Sequence, residues 1–144
     1  TLSKDEWKYL FNTRTMVNDG DRYENLTELG ITVEGVTFNG VVLFPDDFTE
    51  QTTWKEYTTW KALNDAGLVF LPATGCRIGK EVISVGDFGR YWSSTASDEW
   101  GCAYSVFFRR PMPMPEPEPM PDVTPDAPVS SNSGFSVRLI TKCQ

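Results

Sequence analysis

Between Asp98 and Arg110 the chain gathers acids, rings and arginines: Asp98, Glu99, Trp100, Tyr104, Ser105, Phe107, Arg109 and Arg110. This mixture suits recognition rather than bond-making. Rings supply large rigid contact area, while arginine forks and carboxylates fix orientation, as at recognition hot spots. Trp100, flanked by Glu99 and Gly101 in a loop, is the anchor this reading favours. The same rings can also serve a core. Trp92 is assigned there, Tyr104 and Phe107 stay open between core and contact, and Trp100 divides evenly.

Catalysis needs a poised acid, base, nucleophile or metal. The chain has no histidine, which removes the commonest general base, Ser-His nucleophile pairs and the usual zinc ligands. Ser93 and Ser94 therefore read as hydrogen-bonding residues of a turn. Glu24, Glu34, Asp46, Asp47, Asp98 and Glu99 can hold paired carboxylates, but no spacing brings two of them together. Cys76, Cys102 and Cys143 lack C-x-x-C spacing, so no structural zinc is expected. One disulfide with a spare thiol and three reduced thiols both remain open. Asp19-Gly20-Asp21 reads as a turn, since the rest of a calcium loop is missing. No metal and no cofactor is assigned.

A net charge of −7 without a basic stripe argues against nucleic acid as a partner. No apolar run is long enough to span a bilayer, so direct membrane insertion is not expected. No signal peptide or lipobox occurs, and the chain opens directly on a helix signal. That reads as a mature domain cut from something longer.

The elements that must position these residues follow from local patterns. Ser3-Lys4-Asp5-Glu6 is a capping box, and Trp7, Leu10 and Phe11 share one helical face, predicting a helix over 4–13. Asn18–Asp21 breaks it. Residues 31–34 and 37–44 read as strands, with Gly35 and Asn39-Gly40 as turn signals. Val41 to Phe44 is a continuous apolar run of the kind that fills a buried strand. Thr52 or Thr53 caps a second helix carrying Trp54, Tyr57, Trp60, Lys61 and Leu63, with Gly67 just past its end. Leu68–Pro72 is a short buried strand. Ala73–Arg90 is a glycine-punctuated loop with a short strand at 82–85. Tyr91–Phe108 and Gly134–Ile140 both alternate at period two, predicting a terminal antiparallel pair. Between them, Pro111–Pro128 is proline at nearly every second position and acidic, predicting a solvated polyproline-like insertion. Arg138, between Val137 and Leu139, reads as a structural ion-pair partner.

The ordered set LSKDEWKYLFNTR, VTFNGVVLFPDDF, ALNDAGLVFLPATGCR, GRYWSSTASDEWGCAYSVFF and GFSVRLI resembles the Fibrobacter succinogenes major paralogous domain of Bacteroidetes surface proteins. The resemblance covers nearly the whole chain apart from the proline segment. It implies a single α+β domain of C-type lectin-like fold, residues 1–144. Two helices would flank a small twisted antiparallel sheet, the termini would lie close together, and 111–128 would be an insertion. The C-terminal pattern is also similar to the variable proteins of diversity-generating retroelements. There, YWSS and GFSVRL would be fixed scaffold and the residues between them the varied surface.

The related formylglycine-generating domains use a close pair of cysteines, a spacing that Cys102 and Cys143 lack. The sugar-binding Glu-Pro-Asn, Gln-Pro-Asp and Trp-Asn-Asp motifs of calcium-dependent lectins are also missing. The expected function is non-catalytic binding or adhesive display of a protein or glycan ligand, at a cell surface, outside the cell or on a phage particle. An enzyme or degenerate enzyme of the formylglycine-generating type is the second reading. An architectural domain of a surface lipoprotein is the third. The display reading expects Trp100, Phe107 and Arg109 to be exposed and contiguous.

Overall fold

The computed structural model describes residues 1–14, 23–48, 56–109 and 123–139, with backbone alone for 23–29 and 33. Helix α1 (Lys4–Lys8) starts on the expected box: Ser3 Oγ accepts from the Glu6 N–H at 3.2 Å, and the Glu6 carboxylate accepts from the Ser3 N–H at 2.7 Å. The chain then widens into a π-helical turn, Tyr9–Thr13, closed by the Arg14 N–H on the Tyr9 carbonyl at 3.0 Å. The expected span of 4–13 holds, with a change of winding inside it.

Strands β1 (Tyr23–Val33), β2 (Val36–Leu43) and β3 (Val69–Pro72) form one antiparallel sheet in that order. The β1–β2 turn is Glu34-Gly35, where both residues take positive φ, 50° and 80°. That geometry is nearly free only for glycine. Asn39-Gly40, expected as a turn, lies inside β2. Gly40 is there because a Cβ would stand 2.3 Å from the Leu71 carbonyl oxygen, so only a hydrogen fits between the strands.

Helix α2 (Trp60–Asp65) is shorter than the pattern predicts. Thr59, not Thr52 or Thr53, caps it by accepting from the Ala62 N–H, and Tyr57 precedes it. Thr52, Thr53 and Trp54 lie outside the described residues, as does Asn18–Asp21. Gly67 ends the helix as expected, at φ +77°, with Leu68 N–H on the Leu63 carbonyl and Gly67 N–H on that of Asn64. This is the Schellman pattern, and Leu63 and Leu68 pack together beneath it.

The supposed loop 73–90 contains a small hairpin, β4 (Cys76–Ile78) with β5 (Glu81–Ile83). A second three-stranded antiparallel sheet follows: β6 (Phe88–Ala96), β7 (Cys102–Arg109) and β8 (Val123–Ser130). Here the sequence reading needs two corrections. The antiparallel partner of β6 is β7. Ser136 instead bridges the other edge of β6 in parallel sense, with Ser136 N–H on Arg90 O and Trp92 N–H on Ser136 O, while Gly134 pairs with Arg77 of β4 in antiparallel sense. Second, the part of the proline segment from Val123 to Pro128 is strand. β8 tolerates Pro125 and Pro128 because, among the described residues, it pairs on one side only. It also carries an extra residue between Thr124 and Ala127 opposite the Ser105–Phe107 step, a bulge where proline is accepted. Residues 111–122 lie outside the described residues.

The architecture is α+β, with small antiparallel sheets rather than one. Val41, Leu43 and Leu71 point toward α1 and the second sheet, meeting Trp7, Phe11, Tyr91, Val106, Phe108 and Val123. The alternate residues Val42 and Phe70 point toward α2, meeting Ile31, Leu63 and Leu68. Both faces of β2 are covered, which is why it reads as an unbroken apolar run. Leu2 O accepts from Ser94 N–H at 2.9 Å, so the N-terminal residues and Ser136 share one edge of β6.

Candidate functional site

The candidate residues fall on the β6–β7 hairpin and separate into three places. At its tip, Glu99 N–H donates to Ser97 Oγ at 3.1 Å and Cys102 N–H donates to Glu99 O at 3.1 Å. Gly101, at φ +74°, occupies the third position of the resulting four-residue turn, where a positive φ is required. Ser131 N–H donates to Gly101 O at 2.9 Å, tying the tip to the chain beyond β8. Trp100 stands in the second position of this pinned turn and is 100% exposed, beside exposed Asp98 and Glu99. Leaving an indole of on the order of 200 Å² in water forgoes about 5 kcal/mol of burial. Folding alone gives no return for that.

Along β7 the side chains alternate between faces. Val106 and Phe108 enter the core with Trp7, and Tyr104 shares their side, its ring centre 4.4 Å from Lys4 Nζ on α1. Tyr104 thus packs against the helix. Ser105 lies on the opposite face, fully buried, its hydroxyl donating to Ala127 O at 3.1 Å. It joins β7 to β8 and offers no surface. Phe107 and Arg109 share that outer face and are half-buried; Arg110 lies outside the described residues. Gly101 and Arg109 are separated by about 25 Å of extended chain. Trp100 and Arg109 therefore sit at opposite ends of the hairpin and form no contiguous patch with Phe107, contrary to the display expectation.

The outer face holds a cluster that the sequence reading passed over. The register sets Arg90 opposite Phe107, Phe88 opposite Arg109 and Trp92 opposite Ser105. The Arg90 guanidinium carbon lies 4.8 Å from the centre of the Phe107 ring and 5.1 Å from that of Phe135. Phe88 packs on Phe107 at 5.7 Å, and Trp92 on Phe135 at 4.6 Å. Trp92, expected in the core, is half-buried on this face instead. Burial lowers the Arg90 pKa, opposed in part by the nearby Cys76. Its Nε is buried without an acceptor among the described residues. Arg90 and Phe135 lie more than forty positions apart; only the strand register pairs the former with Phe107.

Ser93 Oγ accepts from Thr95 N–H at 3.0 Å, the local bonding role its sequence context suggests. Asp46 is held by Arg14 at 2.9 Å, and Glu34 and Asp47 are exposed. Cys76 and Cys102 are free thiols, and Cys143 lies outside the described residues. Among the described residues no cluster of cysteine and acidic side chains could hold a metal ion. Among the described residues no helix is long and apolar enough to cross a membrane. Arg138 does not make the expected ion pair among the described residues; its guanidinium lies 5.2 Å from the centre of the Trp60 ring. Comparison of the chain with protein-family models, with curated proteins and with solved structures finds no match.

Proposed function

We propose that this chain is a non-catalytic recognition module of C-type lectin-like architecture that displays the β6–β7 tip, Asp98-Glu99-Trp100, to a protein or glycan at a cell or phage surface. The observation carrying this reading is the full exposure of Trp100 on a turn fixed by three hydrogen bonds. A solvated indole beside two carboxylates, carried on a backbone turn that is already ordered, meets a partner without a loop-ordering cost, and tryptophan leads the residues that dominate binding energy. The two helices lying against small antiparallel sheets, and the N-terminal residues and Ser136 sharing the β6 edge, support the lectin-like reading.

The test is binding of the purified domain to glycan and surface-protein arrays, with Trp100→Ala and Arg109→Ala measured separately. Loss of at least tenfold on Trp100→Ala, with Arg109→Ala near wild type, is the expected result. Binding indifferent to Trp100 would refute it. The similarity to retroelement variable proteins has its own test in the encoding DNA. A near-repeat of the codons for residues 91–139, differing at adenines and lying beside a reverse transcriptase, is the expected signature, and a lack of any such repeat rejects it.

A further inference from the structure

The hairpin of β4 and β5 stands beside the start of β6, where Gly75 bridges Gly89, and so at the far end of that strand from the Trp100 turn. Its two edges differ. On the β4 side, Gly75 N–H donates to Phe88 O at 2.8 Å, Arg77 N–H to Gly134 O at 2.8 Å, and Gly134 N–H to Arg77 O at 2.9 Å. Arg77 thus directs both backbone groups away from β5, which makes Arg77 and Val82 a non-hydrogen-bonded pair of the hairpin ladder. Val82 must then turn its own N–H and C=O outward, away from β4. Among the described residues neither group has a partner, and no strand lies on that side of β5.

This edge is open to solvent. Glu81, Val82 and Ile83 are all exposed, Val82 to 50%, and Ile78 at 60% and Val85 extend the apolar surface. The register puts Ile78 and Ile83 diagonally on one face of the hairpin and Val82 on the other. Charge sets the stretch apart as well. In a chain with 20 acids and 13 bases, residues 76–85 carry Arg77 and Lys80 against Glu81 alone. None of the three makes an ion pair among the described residues. Outward backbone groups, aliphatic side chains on both faces and a basic turn are what an extended polypeptide completes by strand addition.

We propose that β5 is the docking edge for an extended, acid-bearing segment of a partner protein, added antiparallel to it. One residue of that segment exchanges both backbone hydrogen bonds with Val82, aliphatic side chains lie beside Val82 and Ile83, and a carboxylate meets Lys80. Backbone pairing selects a polypeptide, and the Lys80 charge selects an acid opposite the turn. A second copy of this chain fits less well. Pairing β5 with β5 about Val82 would set Glu81 opposite Ile83 and Lys80 opposite Ser84, matching neither charge. Four part-exposed aliphatic side chains also fall short of the ~800 Å² per partner of a standard interface.

The probe is acetyl-Gly-Val-Val-Thr-Glu-Gly-amide, titrated into the ¹⁵N-labelled full chain. Its antiparallel register places its second valine opposite Val82 and its glutamate opposite Lys80. We expect saturable shifts of the backbone amides centred on Val82. The same peptide N-methylated at its second valine loses one of the exchanged hydrogen bonds and should bind about tenfold more weakly. Lysine in place of the peptide glutamate should weaken binding about threefold, and Lys80→Glu, in the exposed turn, should reverse that order. Trp100→Ala should change none of this, which separates the inference from display at the hairpin tip. A Val82 amide that the peptide leaves in place would overturn the proposal. Equal affinity for the N-methylated peptide would do so too, reducing the contact to apolar adhesion. A Val82 resonance that moves with protein concentration alone would assign the edge to a second copy, and would equally overturn it.

Discussion

Arg90 and Phe107 face each other across the β6–β7 ladder, the guanidinium carbon 4.8 Å from the ring centre, with the Phe135 ring centre at 5.1 Å. A half-buried cation so placed exchanges hydration for ring faces. We expect a double-mutant cycle of Arg90→Met and Phe107→Leu, read by urea unfolding, to give a coupling of about 1 kcal/mol. The coupling should persist at high salt, because a desolvated contact is weakly screened. A value indistinguishable from zero would reduce the pair to simple packing.

Trp100→Ala should leave stability within about 0.5 kcal/mol of wild type, since the side chain is wholly in water. Trp7→Ala, at 1% exposure, should cost about 3–5 kcal/mol. Thermal or chemical denaturation of the two variants distinguishes display from support. A marked loss on Trp100→Ala would show that the tip packs against something in solution.

Two glycines should fail for different reasons. At Gly40 a new methyl would meet the Leu71 carbonyl at 2.3 Å and the Phe70 ring at 2.6 Å, so Gly40→Ala should cost about 3 kcal/mol through overpacking. Gly101 has open space around it but φ +74°, so Gly101→Ala should cost only about 1–2 kcal/mol of backbone strain. Denaturation midpoints check the order. The Gly101 variant should also weaken array binding, because that turn orients Trp100.

Burial raises the pKa of the Tyr91 hydroxyl, which donates to the Pro72 carbonyl at 2.9 Å. The neutral form is the one the fold accepts. Its contribution is therefore complete below the unfolded phenol value of about 10 and declines as pH rises past it. Stability of the wild type should fall above that pH more steeply than that of Tyr91→Phe. At neutral pH the variant should be weaker by about 1 kcal/mol for the lost hydrogen bond. Parallel alkaline slopes for the two proteins would contradict this account.

How much could be read in advance depended on the range of the interaction. The capping box and the Gly67 helix end are contained within a few residues, and both appear where the sequence puts them. The burial of Val41–Phe44 was legible because two covered faces leave one pattern. Alternation in GFSVRLI, by contrast, says that a segment is extended without saying what it pairs with, and among its described residues only Gly134 and Ser136 make bridges. The prolines of β8 concealed a strand, since their cost depends on whether the chain lies at an edge. Within the hairpin, Trp100 could be picked out from its neighbours in sequence. The Arg90–Phe107–Phe135 cluster needed a register that no local signal encodes.

That edge strand has a consequence for self-association. Ser131 N–H bonds Gly101 O, so the backbone of Ala127, Val129 and Ser131 faces β7 in the alternating ladder, and position 128 faces outward. Pro128 therefore removes a donor from the side where a neighbouring molecule would dock. A strand lacking that N–H is a poorer template for sheet extension, so among the described residues the outer side of β8 is disfavoured for pairing into dimers or fibrils.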